Sequence, residues 1–210
     1  MPRVRKIQCN PEFMNFFLVD ANFLANKYIS TTFAPNTRQS NRIKQCQDWW
    51  VEIDREIRKQ KARVFIPDVS IAEAYKTLAK KYYVENWFPS PQELNNARNR
   101  LSKDISTPYK TLRASNRHIR YHDISTSRDI IIAVDRFYEV FMKEGLEVSL
   151  PDLIILATAK YLLDFFSIPK DCLHIVTLDR NLYKGLKKIQ ELPKGYDPTL
   201  SEGAFDRIFE

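Results

Sequence analysis

Three short apolar runs constrain this chain more than any other feature: residues 16–19 (FFLV), 64–66 (VFI) and 175–178 (IVTL). None alternates with polar residues, and each is bounded by polar or turn residues. A strand with one solvated face has to alternate, so uninterrupted runs belong to strands covered on both faces, as in a parallel sheet. Between them the apolar period changes to that of a helix. Ile43, Cys46, Trp50, Ile53 and Ile57 step by three and four, as do Ile130, Val134, Phe137, Tyr138 and Phe141. Residues 152–166 (DLIILATAKYLLDFF) are apolar almost all round, which predicts a central rather than a superficial helix. Helices alternating with buried strands define an α/β fold.

Composition supports one domain. The 210 residues are 44% hydrophobic and include 13 Phe, 10 Tyr and 3 Trp, far too much core-forming material for a disordered chain. Only 4 Gly are present, and their spacing spells neither a dinucleotide fingerprint nor a P-loop. Cys9, Cys46 and Cys172 form no close pair, so a zinc site and a disulfide framework are both disfavoured and a reducing compartment is expected. The basic start followed by FMNFFLV is too short for a signal peptide and Asp20 closes it without a small-residue cleavage site. No uncharged stretch approaches the ~20 residues of a membrane span, and a cytoplasmic location with no membrane partner is expected.

Residues at about 81–121 differ in kind and read as a helical insertion within a single domain spanning 1–210. Ser90, Pro91 and Glu93 spell a helix start, and Leu94, Ala97, Leu101 and Ile105 then form one apolar stripe.

Acids recur where the strands end. Asp20 follows FFLV, Glu73 lies on the helix opened by IPDVS, Asp179 follows HIVTL, and Asp152 opens the buried helix. The C-terminal edge of an open parallel sheet is where ligands bind, so four acids from distant positions fall where one pocket would form. Each also has a plainer explanation. Glu73 follows Ser70 at the capping-box interval, Asp152 follows a proline, Asp179 suits an N-cap for a helix over 180–189, and Asp20 suits a cap too. Carboxylates gathered within about 5 Å repel pairwise by roughly 3 kcal/mol at an effective dielectric of about 20. A hard divalent cation with oxygen ligands relieves this, and acid clusters lacking His and Cys therefore suggest phosphate chemistry.

With these residues in view, the chain resembles the PIN-domain ribonucleases, most closely the VapC-type toxins of toxin–antitoxin pairs. VDANFL is similar to that family's opening D-x-N motif and IPDVSIAEAYK to its glutamate-bearing helix. LPDLIILATA is similar to its D-x-x-I-x-A-T-A helix and VTLDRNL to its closing T-x-D segment, in the same order. The resemblance implies a three-layer α/β/α PIN-like domain with a central, mainly parallel sheet. It implies a metal-dependent endoribonuclease in which Asp20, Glu73, Asp152 and Asp179 hold one or two Mg²⁺ or Mn²⁺ ions, with Asn22 and Thr177 orienting them. Asp20 and Asp152 are then the foremost direct ligands, Glu73 a base acting through water, and the products carry 5′-phosphate and 3′-hydroxyl ends. An RNA substrate, an antitoxin and a homodimer are the partners it implies. The chain is longer after Lys80, and beyond Ile189, than the compact toxins are. The alternative is a non-catalytic PIN-like module that binds RNA or protein.

Charge partition favours nucleic acid independently. Arg98, Arg100, Lys103, Lys110, Arg113, Arg117 and Arg120 crowd residues 95–122 against one acid, Asp104, whereas residues 123–182 hold six basic and ten acidic side chains. Such a basic segment suits a phosphate backbone, with Tyr109 and Tyr121 as candidate stacking platforms, although a solvated helical face explains it equally. His118 and His122, spaced i, i+4, lack a third ligand nearby and read as surface residues, while His174 opens a buried strand and reads as structural. Trp49 and Trp50 read as core or dimer contacts, and Tyr82, Tyr83, Trp87 and Phe88 as support for the insertion or a partner surface.

Overall fold

A computed structural model describes residues 14–105, 121–200 and 208–209. The three apolar runs are strands: β1 (Asn15–Val19), β2 (Ala62–Pro67) and β4 (Leu173–Val176). Two short strands complete the sheet, β3 (Tyr121–Ile124) and β5 (Lys194–Tyr196). All pairings are parallel, in the order β3-β2-β1-β4-β5, with Phe17 beside Val64 and Leu18 beside Ile175. Among the described residues the α-helices are α1 (Ala21–Asn26), α2 (Thr37–Arg58), α3 (Asp68–Tyr83), α4 (Pro91–Ile105), α5 (Arg128–Lys143), α6 (Leu150–Phe165) and α7 (Arg180–Leu186).

Period-two geometry divides the strand side chains between two cores. Phe17, Val19, Val64 and Ile66 join a cluster with α1, α2, α3 and α4, whereas Phe16, Leu18, Phe65 and Ile175 join one with α5, α6 and α7. The result is the expected three-layer α/β/α arrangement, here with a wholly parallel sheet. Helix α6 buries Leu153 through Ala159 continuously, which is why its sequence lacks a polar face. Trp49 and Trp50 are core residues; the Trp50 indole stacks on Phe23 at 4.8 Å and donates to the Phe23 carbonyl at 3.1 Å. Gly185 lets α7 approach α5, since a Cβ there would fall inside the buried Phe141 ring.

Helix α4 starts as its sequence predicts, with the Ser90 hydroxyl accepting from the Glu93 amide, and it buries Leu94, Ala97 and Leu101 in the first core. Trp87 and Phe88 are buried beside it while Tyr83 is 70% exposed. A polar network ties α4 to the body. Lys27 pairs with Asp54 at 3.2 Å and Asp104 at 3.5 Å, Tyr28 donates to Asp104 at 3.1 Å, and Tyr121 donates to Asp54 at 2.7 Å. Burial and the neighbouring carboxylates push both phenols well above the ordinary tyrosine range.

Two expectations are corrected here. Tyr121 is not a stacking platform: it is buried in β3, edge-on to Trp50, because the aromatic residue closes the end of the core. His122, read as a surface residue, is half-buried in the same strand with its ring centre 5.7 Å from that of Phe65. Tyr109, Lys110, Arg113, Arg117, His118 and Arg120 lie outside the described residues. His174 is structural, buried in β4 with its Nε2 at 3.0 Å from the Asn15 side-chain oxygen, and burial lowers it to about 4. Among the described residues, no helix is long and apolar enough to cross a membrane.

Leu101 is wholly buried, so Leu101→Ala should cost about 2–5 kcal/mol in a urea unfolding experiment with a single transition. A loss below ~1 kcal/mol, or a separate early transition, would show that α4 is an appendage rather than part of the core.

Candidate active site

The strand order dictates where a site can form. From central β1 the chain builds outward through β2 and β3, then returns to the other side of β1 for β4 and β5. The loops after β1 and β4 therefore diverge to opposite sides of the sheet, the kind of switch point at whose carboxyl edge open α/β sheets bind ligands. Asp20 directly follows β1 and Asp179 lies three residues beyond β4, so both belong to that edge.

Asp20 is 3% exposed and is held by three donors. Its Oδ1 accepts from the Phe23 amide at 2.7 Å, which caps α1, and its Oδ2 accepts from the Leu178 amide at 3.0 Å and from the Thr177 hydroxyl. Its own amide donates to the Val176 carbonyl at 3.0 Å, joining the ends of β1 and β4. Burial raises the Asp20 carboxyl above its ordinary value; the three hydrogen bonds oppose the rise, and the charge of Asp179 adds to it.

Asp179 caps α7, its Oδ1 accepting from the Leu182 amide at 2.7 Å, while its amide donates to Thr177 Oγ1 at 2.9 Å. Thr177 thus connects the two acids, taking a bond from one segment and giving one to the other. Asp152 occupies the third position of α6 in a reciprocal capping box with Ser149. Its Oδ2 accepts from the Ser149 hydroxyl at 2.5 Å and the Ser149 amide at 3.3 Å. The Asp152 carboxyl is pushed up to about 6, first by burial and further by the charges of Asp179 and Asp20, against the Ser149 hydrogen bonds. Asp20, Asp152 and Asp179 therefore lie within electrostatic reach of one another, although they come from three separate stretches of chain.

Glu73 is placed differently. Helix α3 begins at Asp68, with no side-chain cap, so Ser70 and Glu73 are not a capping box. Ser70 is buried with an unpartnered hydroxyl, and Glu73 is about one-third exposed with Lys76 as its counter-charge at 3.7 Å. Asn22 is exposed on α1, and among the described residues it has no hydrogen bond to any of the four acids. Of the basic residues singled out on α4, Arg98 is half-buried, Arg100 and Lys103 are exposed, and Arg100 lies 5.9 Å from the Tyr28 ring centre. The parts played by Ser149 and the Leu178 amide were missed in the sequence. Ser-Leu-Pro-Asp at a helix start was a readable signal for the first; a backbone donor leaves no signal of its own.

The donor chemistry of the three aspartates fits a hard divalent cation. They are oxygen ligands whose mutual repulsion a cation would cancel, and one oxygen of Asp152 and one of Asp179 take no part in the caps. The side chains stand in their capping rotamers, and among the described residues no three His, Cys, Asp or Glu side chains are arranged as a metal-ligating group.

No family model matches the chain, and no curated protein does. Solved structures do. FitAcB from Neisseria gonorrhoeae is similar at TM-score 0.51 and 14% identity, over 88% of this chain and 99% of that one. FitAB bound to an IR36 DNA fragment is similar at TM-score 0.50 and 14% identity, over 89% and 97%. VapBC2 from Rickettsia felis, bound to a DNA fragment from their promoter, has 13% identity over 87% and 98%, and its TM-score of 0.48 falls short of a shared fold. What the chain shares with the first two, at such identity, is the fold.

The raised Asp152 carboxyl has a consequence for stability whose sign is fixed. A carboxyl raised from 3.8 to about 6 binds its proton more tightly in the folded protein, so its contribution to stability is lost as pH rises through that window. Asp152→Asn keeps an acceptor for Ser149 and removes the charge. In chelator it should raise stability by about 1–2 kcal/mol at pH 7, because a tenfold change in proton affinity is worth ~1.4 kcal/mol and solvent screens part of it, with the gain vanishing near pH 4. A variant less stable than the parent at pH 7 in thermal melts would show that Asp152 acts only as a cap.

Proposed function

We propose that the chain is a Mg²⁺- or Mn²⁺-dependent endoribonuclease that hydrolyses RNA phosphodiester bonds at the carboxyl edge of β1 and β4. The observation that carries this reading is the convergence of Asp20, Asp152 and Asp179 at the carboxyl end of the sheet, where the strand order reverses. Three like charges within reach of one another are costly as structure alone, and the resemblance of their motifs to PIN-domain ribonucleases gives them a common purpose.

In this reading Asp20, Asp152 and Asp179 would hold the cation, and Glu73 would contribute from α3 through water. A divalent ion there would activate water and neutralise charge developing on the phosphate. Asp20 provides the fixed point, because its three donors leave the carboxylate one orientation. Thr177 keeps Asp179 in register with Asp20. Asp152, held through one oxygen by Ser149, would offer its other oxygen to a cation. The exposed bases of α4 draw the RNA backbone toward this acidic end of the molecule. An antitoxin partner, a homodimer and a cytoplasmic setting follow from the resemblance to VapC toxins, and the fold shared with FitAcB and FitAB is in keeping with them.

A second reading, a non-catalytic RNA- or protein-binding module, is favoured by one observation: the acids stand as helix caps and not as a preassembled ligand set. Cleavage of end-labelled single-stranded RNA in Mn²⁺, Mg²⁺ or chelator separates the two. Cutting should require the metal and fall at least 100-fold in Asp20→Asn purified identically. Equal cutting in the variant or in chelator would refute the site, and binding without cutting would establish the module.

A further inference from the structure

Beside the acids, and distinct from them, lies a cleft of about 590 Å³ lined by Arg38, Arg42, Gln45, Leu178, Arg180 and Asp197, among others. Arg38, Arg42 and Gln45 are spaced i, i+4, i+7 and so share one face of α2, while Ile43, Cys46 and Trp50 of the same helix pack into the core. Arg180 opens α7, directly after Asp179. Three arginines and one carboxylate thus line the cleft, and that carboxylate, Asp197, accepts from the Thr199 amide at 2.8 Å and hydroxyl at 2.7 Å.

The cleft is mechanically joined to the candidate active site. Arg42 donates to the Leu178 carbonyl at 3.1 Å, and the amide of the same residue donates to Asp20. An anion gripped by this arginine face would therefore be held at a fixed offset from Asp20. A cleft of this size takes a nucleotide-sized group. Arginine suits phosphate oxygens because its planar fork donates in pairs and never loses its charge.

We propose that the Arg38–Arg42–Arg180 cleft is a backbone-phosphate subsite that seats the RNA strand flanking the scissile bond. It rests on the nuclease reading for its substrate class and extends it by naming residues that set the strand's register. Phosphate contacts fix position without reading sequence, so the subsite supplies affinity and alignment and leaves sequence preference to other surfaces.

The test is RNA binding by the full chain in chelator, where nothing is cut, using a fluorescein-labelled single-stranded 12-mer across 25–200 mM salt. Each lost phosphate contact on a single strand lowers the slope of log K against log salt by about 0.7, so Arg38→Ala/Arg180→Ala should lower it by about 1.4 and weaken binding at least fivefold at low salt. Both side chains are exposed, and unchanged thermal melts will confirm folding. Arg100→Ala/Lys103→Ala on α4 is the comparison pair and should cost less. An unchanged slope in the cleft variant, no RNA binding by the parent, or a larger loss in the α4 pair would overturn the subsite. So would a cleft that loses affinity for a poly-aspartate peptide and none for RNA, which would assign it to an acidic protein partner. Metal-dependent cleavage by the parent, scored separately, keeps failure of the subsite distinct from failure of the nuclease reading.

Discussion

The carboxylate of Asp20 is the constraint on which the arrangement of this molecule turns. It terminates β1, caps α1 and accepts from both Thr177 and Leu178 beyond β4. One side chain therefore closes the gap between the strands at which the direction of winding reverses. A buried carboxylate is costly unless its lone pairs are occupied, and here three donors from two segments occupy them. The same three donors that make Asp20 tolerable fix its orientation, which suits a group around which a site is assembled.

Around that point the charges are sorted. Asp152 and Asp179 approach from the starts of α6 and α7, each engaged through one oxygen in a cap. On the α2 side, Arg38, Arg42 and Arg180 line a cleft tied to Asp20 through the two backbone groups of Leu178. An acidic centre flanked by a basic cleft is what the proposed phosphodiester chemistry would require, a place for a cation and a grip on the neighbouring backbone. Local structure and chemistry use the same residues: a helix cap occupies one carboxylate oxygen and leaves the other.

The apolar runs made β1, β2 and β4 legible, since burial on both faces admits no polar residue. Edge strands β3 and β5 were not legible, because an edge strand such as YHDI or KGY needs neither length nor an unbroken apolar run. Ser70 and Glu73 matched a capping box in spacing, yet α3 begins directly after the proline that ends β2 and carries both residues into its interior. Tyr121 looked like part of a basic, solvated segment; a single β residue pointing inward has no periodic neighbours to reveal it. The arginine cleft was hidden for a related reason, as Arg38 and Arg42 on the polar face of a long helix look like any solvated pair until α7 is placed beside them.

What the sequence by itself determined is the layer architecture and the positions of the acids relative to their strands. Both follow from local rules: unbroken apolar runs demand cover on two faces, and helix starts attract aspartate. Which acids meet was decided only by the tertiary structure, because proximity between Asp20, Asp152 and Asp179 depends on strand order, and strand order leaves no trace in the local pattern. The pairing of Arg42 with the Leu178 carbonyl, 136 positions away in the chain, is of the same kind. Propensity and periodicity act within a few turns of helix, whereas a site is made from residues that only chain reversal brings together.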